Sequence, residues 1–200
     1  MAKETEIRAF IQDPETVQNL LYKRGFQCQG EVLHIDLILD HPDAQIFNSG
    51  RKLRIRLEGD KVELTYKGYF EGDTSASRRI EESVSFPKED LNSLISIFSA
   101  LGFPPLFTIP KRRTTFTDGA TLVTFDDWPI IGCLLELEGE ESAVIELAQG
   151  VAPSVEFSNY RLKDLFLRAE QETGRSLEDL QEEYERTHNV NLGRLDLLLS

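Results

Sequence analysis

From Arg51 to Leu57 cationic and apolar side chains alternate, with Leu53, Ile55 and Leu57 set against Lys52, Arg54 and Arg56. A β-strand sends successive side chains to opposite faces, so this run predicts a strand with one hydrocarbon face and one cationic face. The stretch 62–67 repeats the pattern, with Val62, Leu64 and Tyr66 opposed to Glu63, Thr65 and Lys67. Glu58-Gly59-Asp60 forms a short turn between the two, which makes them a hairpin. In an ordinary half-buried hairpin the charged face looks to solvent. Here the alternation recurs along the chain: Glu4, Glu6 and Arg8 stand against Ile7, and Arg79 and Glu81 against Ile80. Further strands are predicted over 31–40, 107–117, 120–127 and 132–138.

Helical signals lie between these strands. Asp13, Pro14 and Glu15 supply an N-cap, a first-turn proline and a first-turn acid. Val17, Leu20 and Leu21 form the apolar stripe, and Gly25 ends the helix before Phe26. After Pro87 a second helix carries Leu91, Leu94, Ile95, Phe98 and Leu101, and stops at Gly102-Phe103. Each half therefore runs strand, helix ending in Gly-Phe, then three strands, which reads as a weak internal duplication. Residues 71–77, small and polar, form the connection between β-rich segments. The rest is helical: 142–149, 158–173 stopped by Gly174, and 176–187 capped by Ser176 with Asp179. The final helix is mostly charged, so 176–200 is expected to be a solvent-facing or partner-binding helical appendage to a domain spanning 1–175.

Striped helices need a hydrocarbon surface to cover. The simplest arrangement lays them against the apolar face of the sheet and leaves the charged face lining an interior. The expected fold class is therefore α+β: an eight-stranded antiparallel β-barrel, a tunnel with a polar lumen and helices packed outside. A pseudo-twofold sandwich is the competing architecture. The net charge of −13 disfavours a general binder of nucleic-acid duplex or anionic membrane. The start has no apolar signal segment, and no stretch is long enough to cross a bilayer. Cys28 and Cys133 stand far apart with no Cys-x-x-Cys partner, as expected of reduced thiols in a cytoplasmic protein.

Lys and Arg converging on a groove suit a polyanion, because guanidinium groups grip phosphate oxygens two at a time. Glu4/Glu6 and Glu136/Glu138 are same-face pairs, and such carboxylates would repel phosphate unless a hard divalent cation sat between them. They are the candidate metal site for Mg²⁺, and the implied chemistry is metal-assisted attack at phosphorus. Asp126 is read three ways: metal ligand, holder of a basic residue, or shaper of the turn before Trp128-Pro129. Trp128 is read as packing, or as an aromatic at a tunnel mouth that stacks a base. His34, His41 and His188 have no ligand spacing and are expected at the surface or hydrogen-bonded.

At these residues the sequence resembles the CYTH superfamily, the triphosphate tunnel metalloenzymes. Glu4-x-Glu6-x-Arg8 is similar to the Glu-x-Glu-x-Lys signature of that family. The likeness continues in order through Leu53-Arg54-Ile55-Arg56, Leu64-Thr65-Tyr66-Lys67-Gly68, Arg79-x-Glu81, Leu101-Gly102-Phe103, Lys111-x-Arg113, Asp126 and Gly132-x-x-x-Glu136-x-Glu138. The resemblance implies an eight-stranded tunnel that binds a triphosphate small molecule (ATP, tripolyphosphate or another organic triphosphate) with Mg²⁺ or Mn²⁺. It also implies metal ligation by Glu4, Glu6 and Glu136, and phosphate contacts from Arg54, Arg56, Lys67, Lys111 and Arg113. Arg79 joins the substrate-binding set, Glu138 and Asp126 the metal set, and Glu4, Glu6 and Arg8 are the candidate catalytic residues. Hydrolysis of a triphosphate is the first activity expected, with a class IV-type adenylyl cyclase as the alternative, in a monomer or homodimer. Arg8 departs from the pattern, since Arg cannot give up a proton as Lys can. A binding module without turnover is therefore the reading from a different class.

Overall fold

The computed structural model describes residues 5–69, 80–151, 157 and 162–193. Glu4 and Arg79 of the expected site, and the connection at 71–77, lie outside the described residues. Eight strands form one sheet: β1 (Thr5–Phe10), β2 (Gln27–Leu39), β3 (Lys52–Glu58), β4 (Lys61–Lys67), β5 (Glu81–Pro87), β6 (Pro105–Thr117), β7 (Leu122–Trp128) and β8 (Gly132–Gly139). Every neighbouring pair is antiparallel, in the order β1-β8-β7-β6-β2-β3-β4-β5. The order mirrors itself about the central β2–β6 pair: β3, β4 and β5 follow β2 as β7, β8 and β1 follow β6. The duplication read from the sequence is thus a pseudo-twofold of the sheet. Among the described residues no ladder joins the edge strands β1 and β5, so the tunnel-like sheet is not closed by hydrogen bonds there.

Six helices are described: α1 (Pro14–Lys23), α2 (Gln45–Asn48), α3 (Leu91–Ala100), α4 (Glu141–Val151), α5 (Leu162–Thr173) and α6 (Leu177–His188). The Asp13 carboxylate accepts from the Thr16 backbone N–H at 3.1 Å, as an N-cap does. Gly25 and Gly102 both take positive φ (87° and 91°), so the chain can reverse at each helix end, burying Phe26 and half-burying Phe103. The one element the sequence pattern missed is α2. Asp40, fully buried, gathers the backbone N–H groups of His41, Ile46 and Phe47 at 2.6–3.0 Å and so builds a turn of helix from a polar loop.

The hydrocarbon face of the sheet is covered in two patches. Ile7, Phe116, Val123, Phe125, Leu135 and Leu137 pack against Val17 and Leu21 of α1 and Val144, Leu147 and Val151 of α4. Leu39, Ile55 and Val62 pack against Leu94 of α3. A third cluster lies on the opposite face of the sheet, at one end of the bore. Ile38, Phe107, Ile109, Trp128 and Leu134 share the parity of the charged positions and meet Leu165 and Phe166 of α5, with Leu177 and Leu192. Phe107, Ile109, Lys111 and Arg113 alternate along one side of β6, so a single strand face changes from hydrocarbon to charge. The segment expected as an appendage is attached here: Thr108 N–H donates to the Leu192 carbonyl at 2.8 Å, and Gly193 bridges Phe107. The helices α5 and α6 cap that end of the bore.

Candidate active site

The alternation that made the strands amphipathic now decides what they present to the interior. Glu6 and Arg8 of β1, Glu136 and Glu138 of β8, Thr124 and Asp126 of β7, and Lys111 and Arg113 of β6 come together on the concave face. His34 and Asp36 of β2, Arg54 and Arg56 of β3, and Glu63 and Thr65 of β4 continue the same face. Four of its charged groups are among the most buried polar side chains of the protein: Asp36, Arg54, Lys111 and Asp126. Charge at that depth is strongly unfavourable unless paired, and here it is paired throughout.

Two ion-pair networks meet at the central strands. In the first, Arg8 Nε donates to Glu136 Oε1 at 2.7 Å and Nη2 to Glu6. Arg113 Nη2 donates to Glu136 Oε2 at 2.7 Å, while its Nε and Nη2 grip both Asp126 oxygens at 2.6 Å. Lys111 donates to the same Asp126 carboxylate, and its ammonium lies 4.8 Å from the centroid of the Trp128 ring. In the second network Arg56 holds Asp36 bidentately at 2.6 and 2.8 Å. Arg54 lies 3.8 Å from Asp36 and donates to Glu63 and Thr65 at 3.0 and 3.2 Å. Lys67 is placed farther along β4, where it pairs with Glu81 at 2.6 Å.

These contacts set the protonation states. Burial alone would raise the Glu136 carboxyl, but Arg8, Arg113 and Lys111 together hold it well below the usual carboxylate range. Asp36 is treated likewise: burial pushes it up, and the bonds and charges of Arg56, Arg54 and Lys111 pull it far down. Burial, helped by the Arg113 charge, brings the Lys111 ammonium down to about 8 in spite of Asp126. A buried amine on this face therefore titrates at the edge of the physiological range.

Most of the expected residues converge, and two that sequence reasoning undervalued join them. Asp36 is the counter-ion of Arg56, and His34 is 3% exposed rather than at the surface. The signal for both was present in their parity with the polar face of β2. Asp126 is fully buried and bonded to two cations, the contacts expected of a holder of basic residues. Trp128 packs within the apolar end of the bore and has no exposed face to offer a base.

Among the described residues no three of His, Cys, Asp and Glu converge closely enough to hold an ion. The donor chemistry nevertheless fits a hard divalent cation. Glu6 and Glu138 are direct cross-strand partners, two carboxylates on one face that offer the hard oxygen ligands such an ion takes. Glu136 lies on the same side of β8, two residues before Glu138.

The CYTH domain matches residues 2–196, a span that runs from the first strand through α6. The chain belongs to the CYTH family. It is 30% identical over 143 residues to the "Putative adenylate cyclase MJ0240" of Methanocaldococcus jannaschii, covering 72% of this chain and 80% of that protein. The solved structure of the PH1819 protein from Pyrococcus horikoshii superimposes with a TM-score of 0.68 at 24% identity, over 82% of this chain and 98% of that one. HpAC1 from Hippeastrum, described as having a dominant triphosphatase activity, superimposes with a TM-score of 0.64 at 16% identity, over 88% and 97% of the two chains. These two structures share the fold.

Proposed function

We propose that this chain hydrolyses the terminal phosphate of a triphosphate held in the charged bore. The observation that carries the reading is the convergence of Arg8, Arg54, Arg56, Lys111 and Arg113, from three strands, on one enclosed face. Guanidinium forks already engaged with Asp36, Asp126 and Glu136 are oriented for the oxygens of a phosphate chain. The acids on this face are at least as numerous as the cations, so a triphosphate needs further positive charge in order to enter. Glu4, Glu6, Glu136 and Glu138 are the residues that would hold Mg²⁺ or Mn²⁺, which would neutralise charge on the phosphates when bound.

The chain's own groups then have distinct parts. Arg54, Arg56, Lys111 and Arg113 bind and align the phosphates, leaving the terminal phosphorus toward the Glu6 end of the bore. Glu136, ionised at neutral pH, orients the attacking water by accepting its proton-bearing edge. Arg8 keeps its proton, so it acts by fixing Glu6 and Glu136 rather than as a base. Water oxygen bonds to the terminal phosphorus and the bridging P–O bond breaks; one water proton stays on the orthophosphate, the other passes to the leaving diphosphate oxygen, and both products leave. Preorganised charge supplies most of the acceleration in such a site. A cytoplasmic setting accords with the two unpaired cysteines, Cys28 and Cys133. Among the described residues no helix is long and apolar enough to cross a membrane.

The second reading is an adenylyl cyclase, favoured by the name of the Methanocaldococcus relative. There the ribose 3′-hydroxyl attacks the α-phosphorus and pyrophosphate leaves. Purified protein incubated with tripolyphosphate or ATP and Mg²⁺ or Mn²⁺ separates the two. Orthophosphate release is the expected result, and cyclic AMP with pyrophosphate overturns hydrolysis in favour of cyclisation. Binding without either product identifies a module that has lost turnover.

A further inference from the structure

His34 lies at the centre of the bore, yet nothing in the mechanism above uses it. It is 3% exposed and sits opposite Lys111 in the β2–β6 ladder, and opposite Glu58 in the β2–β3 ladder. Among the described residues neither ring nitrogen has an aligned hydrogen-bond partner. Nε2 approaches Glu58 Oε2 at 2.9 Å without the alignment of a hydrogen bond. Buried polar atoms in folded proteins are almost always satisfied, so Nδ1, which has no partner among the described residues, marks a place kept for something else.

The pseudo-twofold says what kind of place it is. The spacing that carries Gly25-Phe26 onto Gly102-Phe103 carries His34 onto Lys111, and the two are direct partners across the central strands. The axis relating the two halves therefore passes between them. In one half the equivalent position holds a buried cation bonded to Asp126, and in the other it holds an imidazole whose Nε2 faces Glu58 and whose Nδ1 has no partner among the described residues. Arg113 and Lys111 act on the ring from β6, Arg56 and Glu58 from β3, and Asp36 shares its face of β2.

We propose that His34 is a further anion-contacting residue of the bore, donating a ring N–H to a phosphate oxygen of the bound polyanion. The proposal rests on the reading of the bore as a triphosphate site and names one more of its contacts. In the ligand-free protein the ring is neutral: burial, with the charges of Arg56, Arg113 and Lys111, brings it down to about 4. A polyanion laid between those cations reverses their effect, so the ring takes up a proton as the ligand binds. His34 thus becomes an extra cation only when it is needed, and the empty bore avoids burying a further unpaired charge.

The test is calorimetric. The non-hydrolysable bis(imido) analogue of tripolyphosphate is titrated with Mg²⁺ at pH 6 in buffers of different ionisation enthalpy, into wild type, His34→Gln and His34→Leu. Protons belonging to the ligand cancel in the comparison. Wild type is expected to take up as much as one proton more per site than His34→Gln, and the excess should disappear at pH 8. Gln keeps an N–H donor, so it should bind within a few-fold of wild type at pH 8, while Leu loses roughly tenfold or more. Equal affinity and equal proton uptake in all three proteins would overturn the role of His34 and leave the triphosphate site standing. Failure of wild type itself to bind the analogue would instead overturn the triphosphate reading on which the proposal rests.

Discussion

Asp126→Asn removes one negative charge from the most buried point of the site and almost nothing from its volume. Asp126 is 0% exposed and neutralises Lys111, at 3%, together with Arg113, which also reaches Glu136. The substitution leaves two inward-facing cations with one carboxylate between them. Breaking a buried pair from one side costs about 3–5 kcal/mol, against a total stability of about 5–15 kcal/mol for a domain. The thermal midpoint should fall by roughly 6–20 °C at this chain length. Urea denaturation measures the loss, and repeating it with tripolyphosphate adds a second reading. The anion supplies the missing charge, so it should stabilise Asp126→Asn more than wild type at equal concentration. A loss below about 1 kcal/mol would refute the argument that Asp126 is the counter-ion of the bore. Anion stabilisation that is no larger in the variant would refute the argument that ligand and Asp126 address the same cations.

Three further outcomes follow from other contacts. Arg8→Met should lower kcat about a hundredfold because Glu6 and Glu136 lose the group that aligns them, while Arg8→Lys should stay within about tenfold of wild type; steady-state phosphate release checks both. Lys111 must be protonated to bind phosphate, so kcat/KM should fall as pH rises through about 8, and Lys111→Arg should abolish that alkaline limb in a pH–rate profile. Phe166→Ala should cost about 3–5 kcal/mol in chemical denaturation, because α5 fills the closed end of the bore; an unchanged midpoint would make the C-terminal helices a detachable appendage.

The parts of this fold that were legible in the sequence are those set by short-range rules. Alternation placed Arg54, Arg56, Lys111, Arg113 and Glu136 on one face, and the Asp13-Pro14 and Gly25-Phe26 signals placed both ends of α1. Two features were hidden for different physical reasons. The apolar end of the bore was missed because Phe107 and Ile109 have the same parity as Lys111, and parity alone cannot say where along a strand face the lining changes from charge to hydrocarbon. The attachment of α6 was not legible because its composition is mostly charged, while the contact depends on one buried leucine, Leu177, and on the chain returning at Leu192 to bond β6. His34 was misjudged for a related reason. Metal-ligand spacing was the wrong test for a lone histidine whose partners, Lys111 and Arg56, come from other strands.

The central claim is that the charged concave face is where a triphosphate is held. A crystal structure with the bis(imido) tripolyphosphate analogue and Mn²⁺ tests it most directly. The account predicts phosphate oxygens against Arg54, Arg56, Lys111 and Arg113, with an anomalous manganese peak beside Glu6 and Glu136. Analogue density on the outer surface, with Asp36 and Asp126 still locked to their arginines and no manganese in the bore, would contradict it.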